Sequence, residues 1–282
     1  MIMSFLDGNA VVVTGAGRGL GRACALHTAA CGAAVVVNDI DGQPAHEVVS
    51  LIEGSGGRAV ASVGSVADPD QAHAAIRRCL TEFGRIDGLV NNAGVRYQAP
   101  VWEDTPERMR ELIEVNVLGS LYCGAAAARA MREQGSGSIV NMASLAMVGQ
   151  ATAATYSSSK GAVSSMTVAW AVELAEHGVR VNGLFPLAHT RMALADTRSP
   201  APAEETPERI APIVTYLLSD LATAVTGQLI RFTAHKIHIV RQTSAKEPVL
   251  HNDGWDVPDI AEAFDNHLLA ALEPPPGQRW TR

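Results

Sequence analysis

Residues 10–21 read AVVVTGAGRGLG, and this stretch decides the fold. Its valines form a continuous apolar run, which is typical of a strand that is buried on both faces of a sheet. The glycine pattern T-G-x-x-x-G-x-G follows at once, and helix-periodic sequence begins at Gly19. Glycines allow the backbone to turn tightly and to approach a pyrophosphate, whose charge is favoured at a helix N-terminus. Because a glycine cluster also fits an ordinary turn, the stretch predicts a strand–turn–helix unit and only suggests a dinucleotide.

Short apolar runs alternate with helix-periodic segments along the rest of the chain. Strands are predicted at residues 10–14, 34–38, 58–62, 88–91, 138–142, 180–184 and 228–233. Helices are predicted at residues 19–31, 44–53, 69–83, 106–132, 155–176 and 207–218. Strands separated by helices of this length form right-handed β-α-β crossovers in a parallel sheet. We therefore predict an α/β fold, a Rossmann-type doubly wound parallel sheet of about seven strands with helices on both faces.

The composition of the chain changes near residue 242. Residues 1–242 are predicted to form a single nucleotide-binding catalytic domain, in which residues 195–206, rich in Pro, Ala, Ser and Glu, form a mobile loop. Residues 243–282 form an extension with one amphipathic helix. Asp256 is its predicted cap, Pro258 fits its first turn, and the prolines at 274–276 end it. Its apolar face must pack against this domain or a neighbouring subunit, and consists of Val257, Ile260, Ala261, Phe264 and Leu268.

Composition and charge argue against several classes of protein. Of the 282 residues 47% are hydrophobic and 18% charged, and the net charge of −7 disfavours nucleic acid or an anionic membrane as a partner. No stretch approaches the ~20 apolar residues of a membrane span, and no basic leader precedes residue 10. The four cysteines show no C-x-x-C spacing, so we expect buried, reduced thiols and no metal site. The chain is therefore expected in the cytoplasm.

Asp39 ends the second predicted strand, about 20 residues beyond the glycines, where this fold places an acid on ribose hydroxyls. A carboxylate there accepts a 2′-hydroxyl and repels a 2′-phosphate, which favours NAD over NADP. Two alternatives stay open: Asp39 caps the turn before Pro44, or Asp41 takes the ribose role. Arg18 instead favours NADP, because a guanidinium beside the glycines can bind a 2′-phosphate.

Tyr156 and Lys160 stand four residues apart on a predicted helix and therefore share a face. A free tyrosine ionises near pH ~10, too high for a base at neutral pH, and a nearby ammonium lowers that pKa. The alternative is a solvated helix face with the same spacing. Ser144 follows a predicted strand, at the edge where open α/β sheets bind ligands. Asn116, polar within an apolar turn, is a further candidate, or else a surface or hydrogen-bonded amide.

Together these residues resemble the short-chain dehydrogenase/reductase (SDR) family. The similarity covers residues ~6–233 and rests on the glycine pattern, Asn91-Asn92-Ala93-Gly94, Val115-Asn116-Val117, Ser144 and Tyr156 with Lys160. It implies that residues 1–242 are an NAD-binding catalytic domain. The implied activity is hydride transfer between nicotinamide and a secondary alcohol or ketone, by a cytoplasmic homo-oligomer, either a dimer or a homotetramer.

The resemblance also implies a role for each residue of the site. Tyr156 would be the general acid/base, and Lys160 would lower its pKa and bind the nicotinamide ribose. Ser144 would orient the substrate oxygen, and Asn116 would hold a water that relays the proton. The residues from Asn91 onward would wall the adenosine half of the site. The implied cofactor contacts are Gly15, Arg18, Gly19, Leu20, Gly21, Asp39, Ile40, Ser65, Val66, Asn91, Ala93, Gly94, Tyr156, Lys160, Leu187 and Thr190.

Three features depart from the family. Ser65 stands where the family usually has an aspartate that contacts adenine, and Leu187 replaces the glycine that usually follows Pro186. The extension after Gln242 runs beyond the family's usual end, and we expect it to pack over a neighbouring subunit or to shield the substrate entrance. Segments 35–39 and 186–192 resemble the dehydrogenase part of peroxisomal multifunctional β-oxidation enzymes, which adds a (3R)-hydroxyacyl-CoA to the candidate substrates.

The predicted substrate space is mostly apolar, as suits a carbon skeleton, and is lined by Leu145, Met147, Val148, Gln150, Leu187 and residues 195–206. Arg96, His189 and Arg191 can each meet an anionic group, although such residues are more often at the surface or structural. Hydroxyacyl, alicyclic, steroid-like and small aliphatic substrates stay open. Two other functions also fit the fold: a non-catalytic NAD-binding sensor or scaffold, and an epimerase or dehydratase that retains NAD.

Overall fold

Eight strands form the centre of the chain in the computed structural model, which describes residues 4–194 and 201–273. Their order in the sheet is β3-β2-β1-β4-β5-β6-β7-β8. Strands β1 to β7 are parallel, and β8 pairs antiparallel with β7. The strands are β1 (Ala10–Thr14), β2 (Ala34–Asp39), β3 (Arg58–Val63), β4 (Gly88–Asn91), β5 (Gly137–Met142), β6 (Val179–Pro186), β7 (Leu229–Phe232) and β8 (Ile237–Ile239). The predicted α/β, doubly wound class is confirmed.

All seven predicted strands are present, and their ends move by two residues or fewer. Strand β8 is the one that the sequence did not predict. It has only three residues, and all of them are exposed, with Ile237 at 60% and Ile239 at 62%. A strand this short at a sheet edge has no buried face, so it leaves no alternation of apolar and polar residues to recognise.

The helices are α1 (Gly19–Ala30), α2 (Gly42–Gly54), α3 (Pro69–Phe83), α4 (Pro106–Ile113), α5 (Gly119–Gln134), α6 (Ala154–Leu174), α7 (Arg191–Leu194), α8 (Pro207–Leu218) and α9 (Val257–Ala263). The single helix predicted over residues 106–132 is wrong in one respect. It is α4 and α5 joined by a π-helical turn, Glu114–Leu118. Such a turn inserts one residue without breaking the helix, so apolar periodicity hardly reveals it. The four-residue α7 was also not predicted.

The valines of β1 face two different cores. Val11 and Val13 lie in a core with buried residues of α1, α2 and α8, whereas Val12 lies in a second core with residues of α3 and α5. Successive side chains of a strand point to opposite faces, so a run of valines serves both layers of helices. This arrangement places the glycine turn after β1 at the carboxyl edge of the sheet, between the two layers.

The four cysteines are all free and buried, which confirms the predicted buried thiols. Burial raises the pKa of Cys24, Cys79 and Cys123 to about 12, so these thiols stay protonated and unreactive. Across residues 4–194 and 201–273, no helix is both long and apolar enough to cross a membrane. Within the same residues, no group of three or more His, Cys, Asp or Glu side chains is placed to hold a metal ion.

The chain folds as two compact units, Met1–Val240 and Arg241–Arg282. In the second unit Asp256 caps α9 as predicted, because its carboxylate accepts the backbone N–H of Asp259 at 2.8 Å. On the predicted apolar face of this helix, Val257, Ile260 and Phe264 are 79%, 44% and 41% exposed. The prolines at 274–276 lie outside the described residues.

The predicted loop at 195–206 is only partly described, because residues 195–200 lie outside the described part of the chain. In its second half Ala201 is 3% exposed and Glu205 is 5% exposed. The Glu205 carboxylate accepts the backbone N–H of Ala234, and the Glu205 carbonyl accepts the N–H of His189 at 2.6 Å. Ala201 and Glu205 are therefore buried in the first unit, whereas residues 202–204 between them are exposed, and the predicted mobility of this loop stays a prediction.

Candidate active site

The turn between β1 and α1 is shaped by glycines that no other residue can replace without a clash. A Cβ at Gly15 would lie 2.9 Å from the Cα of Ala93, and φ at Gly15 is +60°. A Cβ at Gly21 would overlap the carbonyl oxygen of Gly15. The side chain of the N-cap residue, Arg18, makes no capping hydrogen bond to α1, so it leaves the first N–H groups of the helix available at the turn. These residues fit a dinucleotide, whose phosphates would bind at the start of α1.

Asp39 lies beside this turn, at the end of β2, and is 9% exposed. Its carboxylate accepts the backbone N–H of Gly17 at 2.8 Å and that of Asp41 at 3.0 Å. It therefore joins the glycine turn to the end of β2, and it also stabilises the local turn, as the alternative reading of the sequence proposed. The Asp41 carboxylate instead pairs with the guanidinium of Arg18. Arg18 is thus held by an acidic partner on the same edge.

Three further predicted contacts follow the ends of β2 and β3. Ile40 is 67% exposed, and Val66 is 6% exposed. The Ser65 hydroxyl accepts the N–H of Ala67 at 3.2 Å, and its own N–H donates to Gln71 at 2.8 Å. Gly64 donates its N–H to the carbonyl of Asp39 at 3.0 Å, which holds this loop against the end of β2. Ile40, Ser65 and Val66 therefore lie at the same edge of the sheet as Asp39.

The loop after β4 is fastened to the glycine turn by Thr14. The hydroxyl of Thr14 accepts the N–H groups of Asn92 and Ala93, both at 3.0 Å. In return, the Asn92 amide donates to the carbonyls of Thr14 and Gly15 at 2.9 and 3.0 Å. The sequence motifs include both residues and place Asn92 in the implied wall of the adenosine site, but they do not predict these mutual hydrogen bonds. These bonds place Ala93 and Gly94 beside the turn.

Asn91 is placed differently from the residues that follow it. Its side chain is 4% exposed and donates to the Asn141 side chain on β5 at 2.9 Å and to the carbonyl of Ser120 at 3.3 Å. Asn141 in turn donates to the hydroxyl of Thr167 on α6 at 3.0 Å. The Asn91 amide therefore joins β4, β5 and α5 inside the protein, and its implied place in the wall of the adenosine site stays a prediction.

Tyr156 and Lys160 lie together on α6 and are both buried, at 8% and 7% exposure. The Lys160 ammonium lies 5.7 Å from the centre of the Tyr156 ring and donates to the carbonyl of Met142 at 2.7 Å. Burial lowers the pKa of Lys160 from 10.5 to about 8, because the charged form loses hydration. The alternative of a solvated helix face is therefore wrong. Ser144 follows β5, and its hydroxyl accepts the N–H of Ala146 at 3.2 Å.

Asn116 lies in the π-helical turn and is 1% exposed, so the surface alternative is wrong. Its amide oxygen accepts the N–H of Val95 at 2.8 Å, and its amide nitrogen donates to the carbonyl of Val95 at 2.9 Å. The amide nitrogen also donates to the hydroxyl of Ser159 at 3.2 Å. Both amide hydrogens therefore have protein acceptors. The side chain fastens the loop after β4 to α6, next to Lys160, and the implied water relay stays a prediction.

The segment after β6 also reaches the glycine turn. The Thr190 methyl carbon lies 3.7 Å from the position of a Cβ built at Gly19, and Leu187 is held by a 3.0 Å hydrogen bond from its N–H to Phe232. Of the three cationic candidates, His189 has a structural partner in the carbonyl of Ala201 at 2.9 Å, and Arg191 is exposed. Only Arg96 lies against Tyr156, with its guanidinium carbon 5.2 Å from the ring centre.

Among the residues predicted to line the substrate space, Leu145 and Met147 are partly buried beside the core that contains Phe185. Val148 is 41% exposed. Gln150 accepts a hydrogen bond from Arg96 at 3.2 Å. These residues all follow Ser144 along the chain, so they extend the site beyond the end of β5.

The fold and this site define a class of nicotinamide-dependent oxidoreductase, and comparison with known proteins agrees. The sequence model of the short chain dehydrogenase family matches residues 9–199. The cis-4-hydroxycyclohexanecarboxylate dehydrogenase of Sinomonas cyclohexanicum is 38% identical over 231 residues, which cover 78% of this chain and 92% of that protein. The chain therefore belongs to the short-chain dehydrogenase/reductase family. It is an oxidoreductase that transfers a hydride between a nicotinamide cofactor and an alcohol or ketone.

Two solved structures are similar over most of their length. A short chain dehydrogenase from Mycobacterium avium is 34% identical with a TM-score of 0.87, covering 96% of this chain and 98% of that one. A gluconate 5-dehydrogenase from Burkholderia cenocepacia, in complex with NADP and tartrate, is 31% identical with a TM-score of 0.76, covering 83% and 96%. The match to the Mycobacterium avium structure covers 96% of this chain and therefore includes residues beyond 240. Part of the extension thus has a counterpart in that protein. The resemblance of segments 35–39 and 186–192 to peroxisomal enzymes stays a prediction.

Proposed function

We propose that this chain is an NAD(H)-dependent dehydrogenase in which Tyr156 exchanges a proton with the substrate oxygen. The observation that carries the proposal is the buried pair on α6, where the Lys160 ammonium lies 5.7 Å from the Tyr156 ring centre. In a site shielded from water, a positive charge at this distance favours phenolate over phenol. A tyrosine with a lowered pKa can act as a base at a pH where a free tyrosine cannot.

In this proposal each residue of the site has a separate role in the reaction. The nicotinamide, when bound, supplies the hydride acceptor or donor. Tyr156 takes the hydroxyl proton during oxidation and returns it to the ketone oxygen during reduction. Ser144 holds that oxygen, and Lys160 stabilises the phenolate and binds the ribose. Asn116 holds the loop after β4 and α6 together, so in this proposal it acts by positioning.

The preference for NAD rests on the charges at the end of β2. The Asp39 carboxylate is bound to the N–H of Gly17, directly at the turn that would hold the phosphates. A second negative charge, on a 2′-phosphate, is repelled at that place. Arg18 would counter this effect, but its guanidinium is paired with Asp41. The arrangement supports NAD over NADP, although the similar gluconate 5-dehydrogenase was solved with NADP.

For the substrate we propose a secondary alcohol on an alicyclic skeleton, with hydroxyacyl and steroid-like compounds as further candidates. The similar protein from Sinomonas is named for a hydroxylated cyclohexane ring. The apolar side chains of Leu145 and Met147, which follow Ser144, suit a carbon skeleton of this kind.

Steady-state kinetics test this function. The purified enzyme is supplied with NAD or NADP and with a panel of alicyclic, hydroxyacyl and steroid-like alcohols, while reduced cofactor is followed by absorbance. We expect turnover with NAD, and a fall in kcat of about 10²–10⁴-fold in Tyr156→Phe, with NAD binding retained. Cofactor binding without any turnover would favour the sensor, and product formation without net NADH would favour the epimerase. Turnover retained in Tyr156→Phe would contradict the catalytic assignment.

We also propose that the protein works in the cytoplasm as a homo-oligomer, a dimer or tetramer, in which the extension packs against a neighbouring subunit. The support is the exposure of Val257, Ile260 and Phe264 on one helix, since apolar side chains of this size are usually covered. Deletion of residues 244–282 tests the extension. Unchanged oligomer mass and unchanged thermal stability in the shortened protein would contradict this part of the proposal.

A further inference from the structure

Arg96 occupies a position at the site that none of the implied roles explains. It follows Val95, whose backbone is held by the Asn116 side chain at 2.8 and 2.9 Å. Its guanidinium carbon lies 5.2 Å from the centre of the Tyr156 ring, and its Nη2 donates to the Gln150 side chain at 3.2 Å. Gln150 is itself fixed, because its N–H donates to the hydroxyl of Ser157 on α6 at 3.1 Å. The Arg96 side chain is thus held at its end by Gln150, and the residue before it is held by Asn116.

We propose that Arg96 is a positioning residue that acts through Tyr156, as a second cation that makes the phenol more acidic. A cation within about 6 Å of a ring centre is attracted to its π-electrons. Ionisation of the phenol adds negative charge that spreads into the ring, so the same cation binds phenolate more strongly than phenol. The difference lowers the pKa of the hydroxyl. Arg96 is therefore assigned to the same task as Lys160, from a different element of the fold.

A second cation has a distinct consequence because the two charges respond differently to pH. Burial lowers the pKa of Lys160 to about 8, so its charge is lost as the pH rises through that value. A guanidinium stays charged throughout the working range of enzymes. Above pH 8, Arg96 still places a positive charge beside Tyr156, which keeps the phenol acidic in the alkaline range where alcohol oxidation is favoured.

Among the described residues, Asp104 and Arg108 are further charged groups near this end of α6, before and within α4. The Asp104 carboxylate accepts the hydroxyl of Thr155 at 2.6 Å and that of Tyr97 at 2.9 Å. Asp104 is thus bound to the residue that precedes Tyr156 in the chain, where a negative charge would act against the two cations. Arg108 lies over the ring of Tyr97, 4.0 Å from its centre, and forms a second arginine–tyrosine pair in the same region. That pair provides a matched control.

The direct test is a titration of tyrosine absorbance in the full-length protein without cofactor. The chain has four tyrosines, and the curve of Tyr156→Phe, subtracted from that of the wild type, isolates Tyr156. We expect Arg96→Gln to raise the midpoint of Tyr156 by about one pH unit, and Arg96→Lys, which keeps the charge, to raise it by less. The matched change Arg108→Gln should leave the midpoint in place. An unchanged midpoint in Arg96→Gln, or an equal rise in Arg96→Lys, overturns the inference.

A kinetic readout connects this effect to catalysis. The catalytic consequence rests on the proposed function, whereas the titration does not. In Arg96→Gln the lower limb of the pH profile of kcat/KM for oxidation should move to higher pH by the same amount as the titration midpoint. If that limb stays in place while the midpoint moves, the inference fails for catalysis. If Arg96→Gln does not fold, Arg96→Met, which keeps a long side chain, replaces it in both measurements. Turnover retained in Tyr156→Phe would overturn the proposed function alone.

Discussion

Around the turn between β1 and α1 the site is shaped by glycines and backbone atoms, whereas around Tyr156 it is shaped by buried side chains. On the first side, a Cβ at Gly21 would overlap the carbonyl of Gly15, so the shape depends on the absence of side chains. On the second side, Lys160 donates to the carbonyl of Met142 at 2.7 Å. There Asn116 also binds the backbone of Val95, so the shape depends on hydrogen bonds between distant segments.

This difference determines how a substitution on each side of the site should affect the protein. Replacing a glycine of the turn introduces a steric clash, so the resulting loss of stability should be much the same at every pH. A substitution around Tyr156 removes a charge or a buried hydrogen bond, so its effect should depend on pH or on one particular partner. Four experiments test this contrast.

The largest expected effect is the pH dependence of stability that Lys160 causes. Its pKa in the folded protein is about 8, below the unfolded value of 10.5. Between these values the unfolded state binds more protons at Lys160, so this residue contributes a rise with pH to the free energy of unfolding, opposed above pH 9 by the buried Cys24, Cys79 and Cys123. We expect the difference in free energy of unfolding, wild type minus Lys160→Met, to rise by on the order of 3 kcal/mol over this range, because the cysteines contribute equally to both proteins.

Denaturant unfolding of both proteins between pH 8 and 10.5 measures this difference. The comparison uses the change with pH and not the absolute stability, because Lys160→Met also removes the hydrogen bond to Met142. If the free energies of unfolding of the two proteins change with pH in parallel, burial of the Lys160 ammonium does not destabilise the folded protein. The expected pH dependence around Tyr156 would then be contradicted.

Gly21→Ala should have the next largest effect, on the backbone side of the site. The new methyl group would overlap the carbonyl of Gly15, and relief of this clash must move the turn. We expect the free energy of unfolding to fall by about 1–3 kcal/mol at every pH, together with weaker cofactor binding. Gly161→Ala is the control, because nothing lies within 4 Å of a Cβ at that helical position. It should be neutral or slightly stabilising, and equal losses in both variants would contradict the steric argument.

The two sides also differ in how far the sequence predicted them. The glycine turn, β1 and the start of α1 are local, so adjacent residues contain the whole signal. Tyr156 and Lys160 were also found, because they lie one helical turn apart. The partners of Asn116 were not found, since Val95 and Ser159 lie 21 and 43 residues away in the chain. Hydrogen bonds between such distant segments leave no periodic signal, and neither does the π-helical turn that carries Asn116.

The hydrogen bonds between Thr14 and Asn92, at the glycine turn, could not be predicted for the same reason. Both lie in motifs that the sequence identified, but their mutual bonds join residues 78 apart. A motif shows which residues belong together, but only the fold shows which atoms meet. The eighth strand was missed for a different reason, because an exposed strand of three residues has no buried face.

Asp39→Asn tests the charge at the glycine turn, with a smaller expected effect. The amide keeps one acceptor oxygen for the N–H of Gly17 but loses the negative charge. We expect the ratio of kcat/KM for NAD over NADP to fall about tenfold, through improved use of NADP. Glu47→Gln on α2 removes the same charge from a residue whose side chain bonds to Gln43, and should leave the ratio nearly unchanged. If both variants change the ratio equally, the net charge of the surface, and not Asp39, sets the preference.

Ser159→Ala should have the smallest effect, because Ser159 is the remote end of the Asn116 network. Its hydroxyl donates to the carbonyl of Tyr156 at 2.7 Å and accepts from the Asn116 amide at 3.2 Å. Ser164 makes only the first kind of bond, to the carbonyl of Lys160 at 2.8 Å. We expect Ser159→Ala to lower the free energy of unfolding by about 1 kcal/mol more than Ser164→Ala, since it leaves a buried amide hydrogen without an acceptor. Equal losses of stability in the two variants would mean that the hydrogen bond from Asn116 to Ser159 does not stabilise the protein. Asn116 would then be held by Val95 alone, and it would not join the loop after β4 to α6.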